Sequence, residues 1–460
     1  MARLFGTDGA RGVANSELTC ELAMQIGRSA AFVLRKTKNE NEKLKILVGK
    51  DTRLSSDMLE SALIAGLCSV GADAIRLGVI PTPAVAFLST KYQADAGIMI
   101  SASHNPFEFN GIKIFAGNGY KISEELEEEI ESLVLDTPQK IKLAKPDEIG
   151  SVYDNLNAVD DYISHLKSTI DTDLTGLKVA FDCSNGASFK TAQKLFSSLG
   201  VEPFMLFDDP NGININNNCG STHIQNLVEF VKKKGLDAGF AFDGDADRCI
   251  AVDEKGNVLD GDYILAICSD FLKSKNKLSK NTLVGTVMAN MGLNEFSKKN
   301  SIEFISSKVG DKYVLRDMLK GGFNLGGEQS GHIIFLDHAT TGDGQLTAVQ
   351  ILNILKNKNK KLSELSSLMT KYPQVLINVK VSRDGKNKLS NDTVIQNEIK
   401  NLENELTFKN ENGEIEKSGR ILVRPSGTEP LIRVMIEGKD LEKIQIMAQK
   451  LADLIKERLS

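Results

Sequence analysis

Two periods of apolar residues alternate along most of the chain. Leu22, Ile26, Ala30 and Val33 recur at helical spacing, and the compact run Ile46-Leu47-Val48 follows them. The first pattern predicts an amphipathic helix and the second a buried strand. Ser55-Ser56 precedes another helical pattern through Leu63 and Leu67, where a hydroxyl can cap the first turn, and Gly71 marks its end. Ala96-Gly97-Ile98-Met99-Ile100 then runs straight into Ser101-Ala102-Ser103-His104-Asn105-Pro106. The same grammar returns twice. A strand pattern at Leu177-Lys178-Val179-Ala180-Phe181 precedes a helix through Ala192 and Leu195, and Ala238-Gly239-Phe240-Ala241-Phe242 runs into Asp243-Gly244-Asp245-Ala246-Asp247-Arg248. A third unit starts at Leu283-Val284-Gly285-Thr286-Val287 and closes as Phe323-Asn324-Leu325 enters Gly326-Gly327-Glu328-Gln329-Ser330-Gly331-His332. Short apolar strands between helices of about 10–15 residues predict βαβ units and mainly parallel sheets.

The end of the chain reads differently. Val375-Leu376-Ile377-Asn378-Val379-Lys380-Val381 alternates like a half-buried strand, Ile421–Val423 and Leu431–Ile436 flank a polar loop, and a helical tail runs from Leu441 to Leu459. That pattern predicts a small α+β domain. Linkers are expected at 146–152, 253–261 and 366–373, and the Lys-rich stretch 356–361 is expected as a solvated turn. The expected domains are 1–150, 151–256 and 257–370, each α/β, and 371–460, α+β.

Length agrees with this division: 460 residues, at roughly 100–200 per domain, make three or four domains. Hydrophobic residues at 41% and charged residues at 25% exclude a disordered chain, a collagen-like repeat and a disulfide-stapled scaffold. A net charge of −5 gives no global attraction to nucleic acid or an anionic membrane, so neither is expected as a partner. The N-terminal residues show no apolar signal-peptide core, and no run of about 18 apolar residues suggests a membrane span. Six cysteines without CxxC pairs fit reduced thiols better than a disulfide framework or a zinc site. A cytoplasmic multidomain protein is the expectation.

The polar loops at the strand ends carry the chemistry. Asp243, Asp245 and Asp247 at i, i+2 and i+4 can converge on one cation, and oxygen ligands favour a hard ion such as Mg²⁺ over zinc or copper. The plainer alternative is a solvated acidic turn, which the apolar runs on both sides disfavour. An EF-hand fails: Glu254 stands at the twelfth position, but Arg248 replaces the sixth-position Gly and strands flank the loop. Ser103 beside His104 suggests a nucleophile and base, yet neighbours in sequence seldom reach triad geometry and no G-x-S-x-G elbow is present. With a metal site nearby, phosphoryl transfer to Ser is the better fit.

Residues 326–332 place a carboxylate, amide, hydroxyl and imidazole between glycines, a set suited to sugar hydroxyls. Arg424-Pro425-Ser426-Gly427-Thr428-Glu429-Pro430 reads as a phosphate grip without a Walker A pattern. Gly6-Thr7-Asp8-Gly9-Ala10-Arg11-Gly12 adds an Arg that serves either a phosphate or a structural carboxylate, and Lys113 is a charge inside an apolar stretch.

Taken in order, Thr7–Gly12, Ser101–Pro106, Asp243–Arg248, Gly327–His332 and Arg424–Pro430 resemble the α-D-phosphohexomutases across essentially the whole chain. The resemblance implies three doubly wound α/β domains and a smaller α+β domain around a cleft. It implies that Ser103 is the phosphorylated serine and that Asp243, Asp245 and Asp247 hold one Mg²⁺ per subunit together with a phosphoserine oxygen. By the same match, Glu328 and Ser330 hold sugar hydroxyls, Arg424, Ser426, Gly427 and Thr428 hold the non-reacting phosphate, and Arg11, Lys113, His104 and His332 line the reacting centre. Phe5–Gly9, Gly285–Gly292 and Gln329-Ser330 point within the family to members acting on an amino sugar. The expected isomerase reaction interconverts glucosamine 6-phosphate and glucosamine 1-phosphate through glucosamine 1,6-bisphosphate, intermediate and activator, and feeds amino-sugar and cell-wall precursor synthesis. Phosphoglucomutase or phosphomannomutase activity is the alternative; a catalytically silent sugar-phosphate-binding protein is the remote one. A homodimer is also implied. Two positions depart from the family pattern: Ala10, where Val is common, and Lys312, where Arg is frequent.

Overall fold

The computed structural model describes residues 3–6, 8–36, 42–409, 415–426 and 430–460. They form two compact units, Met1–Met288 with Asn300–Leu368, and Ala289–Lys299 with Met369–Ser460.

The first unit holds three sheets. The first comprises β1 (Phe5–Gly6), β2 (Gly9–Val13), β3 (Lys45–Lys50), β4 (Asp73–Val79), β5 (Ala96–Ile100), β6 (Phe109–Ala116) and β7 (Val152–Asp154), in the order β1-β2-β6-β5-β3-β4-β7. The second comprises β8 (Lys178–Asp182), β9 (Glu202–Leu206), β10 (Ala238–Phe242), β11 (Cys249–Asp253) and β12 (Val258–Leu259), ordered β12-β11-β10-β8-β9. The third comprises β13 (Thr282–Thr286), β14 (Glu303–Ser307), β15 (Leu325–Gly327) and β16 (Ile333–Phe335), ordered β14-β13-β15-β16.

These sheets are mixed, not mainly parallel. β5, β3, β4 and β7 run parallel, whereas β6 returns antiparallel to β5. β11 returns antiparallel to β10, and β16 to β15. The cause is loop length. A parallel connection needs a crossover of a dozen or more residues, and a short loop permits only reversal. Each of the three polar loops is therefore the turn between the last parallel strand and its antiparallel neighbour.

The apolar periods form the expected core. Ala23, Ile26, Ala30 and Val33 of helix Cys20–Arg35 pack with Leu59, Leu63 and Leu67 of helix Ser56–Ser69. The two backbones touch through Gly66, where a Cβ would stand 2.2 Å from the Met24 carbonyl oxygen. Ser55 occupies the N-cap position but its hydroxyl caps nothing; it accepts the Asn110 amide at 2.9 Å. The Lys-rich stretch is not simply a turn. Lys356 and Lys358 close helix Gly344–Lys358, Asn359 ends it in a left-handed conformation, and Lys356 Nζ donates to the Thr175 carbonyl at 2.7 Å. The expected linker 253–261 is itself ordered, carrying β12 and the Asp260 cap of helix Gly261–Ser274.

The second unit contains β17 (Gln374–Lys380), a small ribbon of β18 (Thr407–Lys409) and β19 (Ile415–Lys417), β20 (Gly419–Pro425) and β21 (Leu431–Gly438). The main sheet, ordered β17-β21-β20, is antiparallel, and helix Leu441–Leu459 covers its core through Ile444, Ala448, Leu451 and Ile455. Helix Met291–Lys299 belongs here. The Asn290 amide exchanges hydrogen bonds with the Tyr372 backbone at 2.9 and 3.0 Å, and Met291 N–H donates to buried Glu437 at 3.1 Å. Asn290 and Met291 of the motif at 285–292 thus have a bracing role.

Candidate active site

Ser103 and the three aspartates meet inside the first unit. Ser103 sits in the reversal between β5 and β6, fully buried, and its hydroxyl donates to Asp243 Oδ2 at 2.5 Å. Asp243, Asp245 and Asp247, in the reversal between β10 and β11, are all buried, with a carboxylate oxygen of each lying within 4.8 Å of the other two. Burial, with Asp247 and Asp245 alongside, pushes the Asp243 carboxyl well above the usual carboxylate range. Asp245 Oδ1 and Asp247 Oδ1 are buried without a hydrogen-bond partner. Unpartnered buried carboxylate oxygens are costly unless a cation satisfies them, so the cluster fits a metal ion with oxygen ligands. Glu254 stands apart from it, bound to Ser363 at 2.5 Å.

Three neighbouring elements bolt the Asp loop in place. Thr82 donates N–H to the Asp245 carbonyl at 2.9 Å and its hydroxyl to the Asp245 carboxylate at 2.5 Å. Ala187 N–H reaches the Gly244 carbonyl at 2.8 Å, and Gly344 N–H reaches that of Ala246 at 2.9 Å.

Cations surround the cluster. Lys113, on β6 and 1% exposed, places its ammonium 2.8 Å from Asp245, 2.9 Å from Asp8 and 3.5 Å from Asp247. Burial opposes its charge, but these carboxylates outweigh burial and hold the ammonium far above its ordinary range. Arg11 pairs with Asp8, the structural-carboxylate alternative of the sequence reading. Asp8 also binds Lys121 at 2.6 Å, and Lys121 binds Asp311 at 2.5 Å. Despite burial, Lys113, Lys121 and Arg11 hold the Asp8 carboxyl well below the usual range.

The two histidines differ in state. His104 Nδ1 lies 3.4 Å from the Ser103 hydroxyl. Burial, with Arg248 and Arg11 adding to it, lowers its ring to about 4, so it is neutral near pH 7. His332 is buried, its Nε2 accepts the Gly342 N–H at 3.0 Å, and its Nδ1 faces Asp247 at 3.7 Å. Burial opposes protonation there, yet Asp247, Asp311 and Glu328 raise the ring above its ordinary value.

The loop at 326–332 joins the same unit. Glu328 accepts the Gly310 N–H at 3.0 Å, Ser330 is exposed, and the Gly331 carbonyl accepts from Cys249 N–H at 3.0 Å, tying this loop to the start of β11. Gly331 has φ +93°, and a Cβ there would lie 2.3 Å from the Cys249 carbonyl oxygen. A cavity of about 600 Å³ opens beside His332, lined also by Lys121, Asp311, Lys312 and Tyr313. Lys312, the departure noted above, pairs with Glu124 at 2.6 Å.

Arg424 and Ser426 lie in the second unit, at the end of β20 and just beyond it. Arg424 stands opposite Arg433 in register and makes no ion pair among the described residues. Partial burial and the Arg433 charge lower its affinity for the proton. Ser426 is buried. Gly427 and Thr428 lie outside the described residues.

Sequence reasoning missed Lys121, Asp311 and Thr82, and gave Asp8 no role. Only Asp8 had a signal, its place in the same Gly-framed motif as Arg11.

Four family models of the phosphoglucomutase/phosphomannomutase family match the chain: alpha/beta/alpha domain I at 2–140, domain II at 160–256, domain III at 260–372 and the C-terminal domain at 376–454. The chain belongs to this family, and it is a phosphohexomutase, an isomerase. Its relatives include the phosphoglucosamine mutases of Acetivibrio thermocellus, 55% identical with 100% of both chains covered, and of Clostridium novyi, 54% identical with 100% of this chain and 99% of that one covered. Among solved structures, a phosphoglucomutase/phosphomannomutase family protein from Burkholderia thailandensis superposes with a TM-score of 0.81 at 24% identity, covering 99% of this chain and 98% of that one. At that identity it shows the shared fold. No helix among the described residues is long and apolar enough to cross a membrane.

Proposed function

We propose that the chain interconverts glucosamine 6-phosphate and glucosamine 1-phosphate, with Ser103 carrying the phosphoryl group in the active form. The observation that carries this reading is the Ser103 hydroxyl 2.5 Å from Asp243 on a buried three-carboxylate cluster. The choice of an amino sugar rests on the full-length likeness to phosphoglucosamine mutases.

In the first half-reaction the bond between phosphorus and Ser103 Oγ breaks as the free sugar hydroxyl forms its own bond to phosphorus. The product is glucosamine 1,6-bisphosphate. It turns over, and Ser103 recovers the other phosphoryl group. Such transfer depends on positioning and charge stabilisation more than on covalent activation. Mg²⁺, one per subunit and held by Asp243, Asp245, Asp247 and an oxygen of phosphorylated Ser103, would neutralise charge on the phosphoryl oxygens. Lys113 and Arg11 add fixed positive charge beside it. Lys113, held as a cation by three carboxylates, has no lone pair to offer, and His332 Nε2 already accepts the Gly342 N–H, so the sugar hydroxyl's proton ends on Ser103 Oγ, the leaving oxygen, which it restores to the hydroxyl. His104 stays neutral beside Ser103. Glu328 and Ser330 hold sugar hydroxyls, and Arg424, Ser426, Gly427 and Thr428 hold the phosphate that is not reacting. The labour divides by domain, with the phosphoserine in 1–150, the metal in 151–256, the sugar loop in 257–370 and the phosphate grip in 371–460. The working form is a cytoplasmic homodimer.

Turnover of glucosamine, glucose and mannose phosphates by the purified chain tests the substrate. The amino sugar should lead in kcat/KM; a lead for glucose or mannose phosphate would instead assign phosphoglucomutase or phosphomannomutase activity. Intact mass of active enzyme should show about 80 Da, one phosphate, on Ser103. Active enzyme without it would overturn the phosphoserine reading.

A further inference from the structure

Ser103 has φ +53°. This left-handed conformation is disfavoured for any residue with a Cβ, and such strain persists only where surrounding structure over-determines it. Here the bonds that impose it are visible. On the N-terminal side, Ser103 N–H donates to Ser101 Oγ at 3.0 Å, and the Ser101 hydroxyl donates onward to Asp51 at 2.6 Å. On the C-terminal side, two side chains grip the same pair of carbonyl oxygens. Arg53 Nη2 donates to those of Ser103 at 3.1 Å and Asn105 at 2.6 Å. Asn216 Nδ2 donates to the same two at 2.9 and 3.0 Å.

We infer that Arg53 and Asn216 are positioning residues that clamp the Ser103 and Asn105 carbonyls and hold Ser103 in the left-handed conformation that aims its hydroxyl at Asp243. Neither is placed to touch a sugar phosphate. The Arg53 side chain is 0% exposed and is neutralised by Asp51, equally buried. Asn216 is 7% exposed. An Arg near a phosphorylated serine invites assignment as a phosphate ligand, but this guanidinium is committed to the backbone of the serine's own loop. Asn216 comes from the loop that precedes helix Gln225–Lys234, so the clamp fastens the serine loop to the second sheet as well as to the first. Gly244 makes room: a Cβ there would lie 2.5 Å from the Ser103 carbonyl oxygen and 2.9 Å from the Asn216 amide nitrogen. Relaxation of Ser103 to an ordinary backbone conformation would swing its Oγ away from Asp243, and a misplacement of about 1 Å can cost roughly a hundredfold in rate.

The inference rests on Ser103 being the phosphoryl carrier, and the experiment separates the two. The full chain is compared with Asn216→Gly, Asn216→Asp, Arg53→Lys and Ser103→Ala by kcat, KM for each sugar-phosphate isomer, and melting. Asn216 itself has φ +58°, so Gly removes the amide without adding strain. Asn216→Gly should lower kcat by roughly 10- to 100-fold, with KM within about twofold and a melting temperature near the parent's. Asn216→Asp should fall at least as far, because a carboxylate would face two carbonyl oxygens. Arg53→Lys keeps the charge beside Asp51 but loses the fork, and should lower kcat in the same manner; if it does not fold, the Asn216 pair decides. Parental kcat in Asn216→Gly or Asn216→Asp, or a loss carried by KM, would overturn the clamp. Ser103→Ala should be inactive. An active Ser103→Ala overturns the phosphoserine reading itself, whereas an inactive one beside a fully active Asn216→Gly overturns the clamp alone.

Discussion

Lys113→Met is the most informative single substitution, because it removes a buried charge and leaves its partners in place. The ammonium lies 2.8, 2.9 and 3.5 Å from Asp245, Asp8 and Asp247. At an effective dielectric of 20, each contact is worth about 5–6 kcal/mol of gross attraction. Most of that offsets the desolvation of a side chain 1% exposed. Breaking a buried pair by removing one partner typically costs about 3–5 kcal/mol. Met fills nearly the same volume, so the loss is electrostatic rather than a cavity. Metal-stripped Lys113→Met should therefore be less stable than metal-stripped parent by about 3–5 kcal/mol in denaturant unfolding. A cation bound by the freed carboxylates replaces the missing charge. Mg²⁺ should accordingly bind the variant more tightly, and saturating Mg²⁺ should close much of the stability gap. Turnover should not recover with it, since the fixed charge beside the phosphoryl group is gone. Equal stability of the two stripped proteins, or weaker Mg²⁺ binding in the variant, would refute this account of Lys113.

Other outcomes are expected. Chelation should silence the enzyme and Mg²⁺ restore it, and full turnover in excess chelator would remove the metal role of the Asp cluster. Arg424→Ala should lower kcat/KM by roughly ten- to a hundredfold, the worth of a charge-assisted contact of about 1.5–3 kcal/mol. That loss should be alike for the 1- and 6-phosphates, and a large loss for one isomer alone would contradict a shared phosphate handle. Asp182, buried and accepting the Ser184 and Gly220 N–H groups at 2.8 Å, has its carboxyl pushed up to about 7 by burial. A folded-state value above the ordinary one means that its contribution is complete below about pH 4 and is lost as pH rises through 7. Stability should thus fall between pH 5 and pH 8, by roughly 3 kcal/mol for this group. Asp182→Asn should flatten that slope, and an unchanged slope would exclude Asp182 as its source.

The sequence made the positions of the reactive loops legible but not how they turn. The apolar runs at 96–100 and 238–242 announce buried strands, and the polar residues after them mark their ends. A run buried on both faces carries no signal of direction, so the antiparallel returns of β6, β11 and β16 were invisible. The spacing of Asp243, Asp245 and Asp247 was legible because the ligands are local. The partners of Lys113 were not: Asp8 lies far upstream, between β1 and β2, and only folding brings the two to 2.9 Å. Likewise, Ser55 looked like a cap because Ser usually caps, and tertiary contact with Asn110 claimed its hydroxyl instead.

These reversals also bear on mechanism. A crossover loop ties a strand end to a helix that can shift on the sheet, whereas a reversal ties it to a hydrogen-bonded neighbour in fixed register. β5 pairs with β6 from Ala96 opposite Ala116 to Ile100 opposite Ile112, and β10 pairs with β11 from Ala238 opposite Asp253 to Phe242 opposite Cys249. Both ends of the Ser103 loop and both ends of the Asp loop are therefore held by ladders, and Lys113 is itself a ladder residue, opposite Met99. Side chains on such frames hold their geometry against charge repulsion that would splay a free loop. That rigidity lets three aspartates stay together while buried, and fixes the Ser103 hydroxyl where the phosphoryl group must arrive and leave.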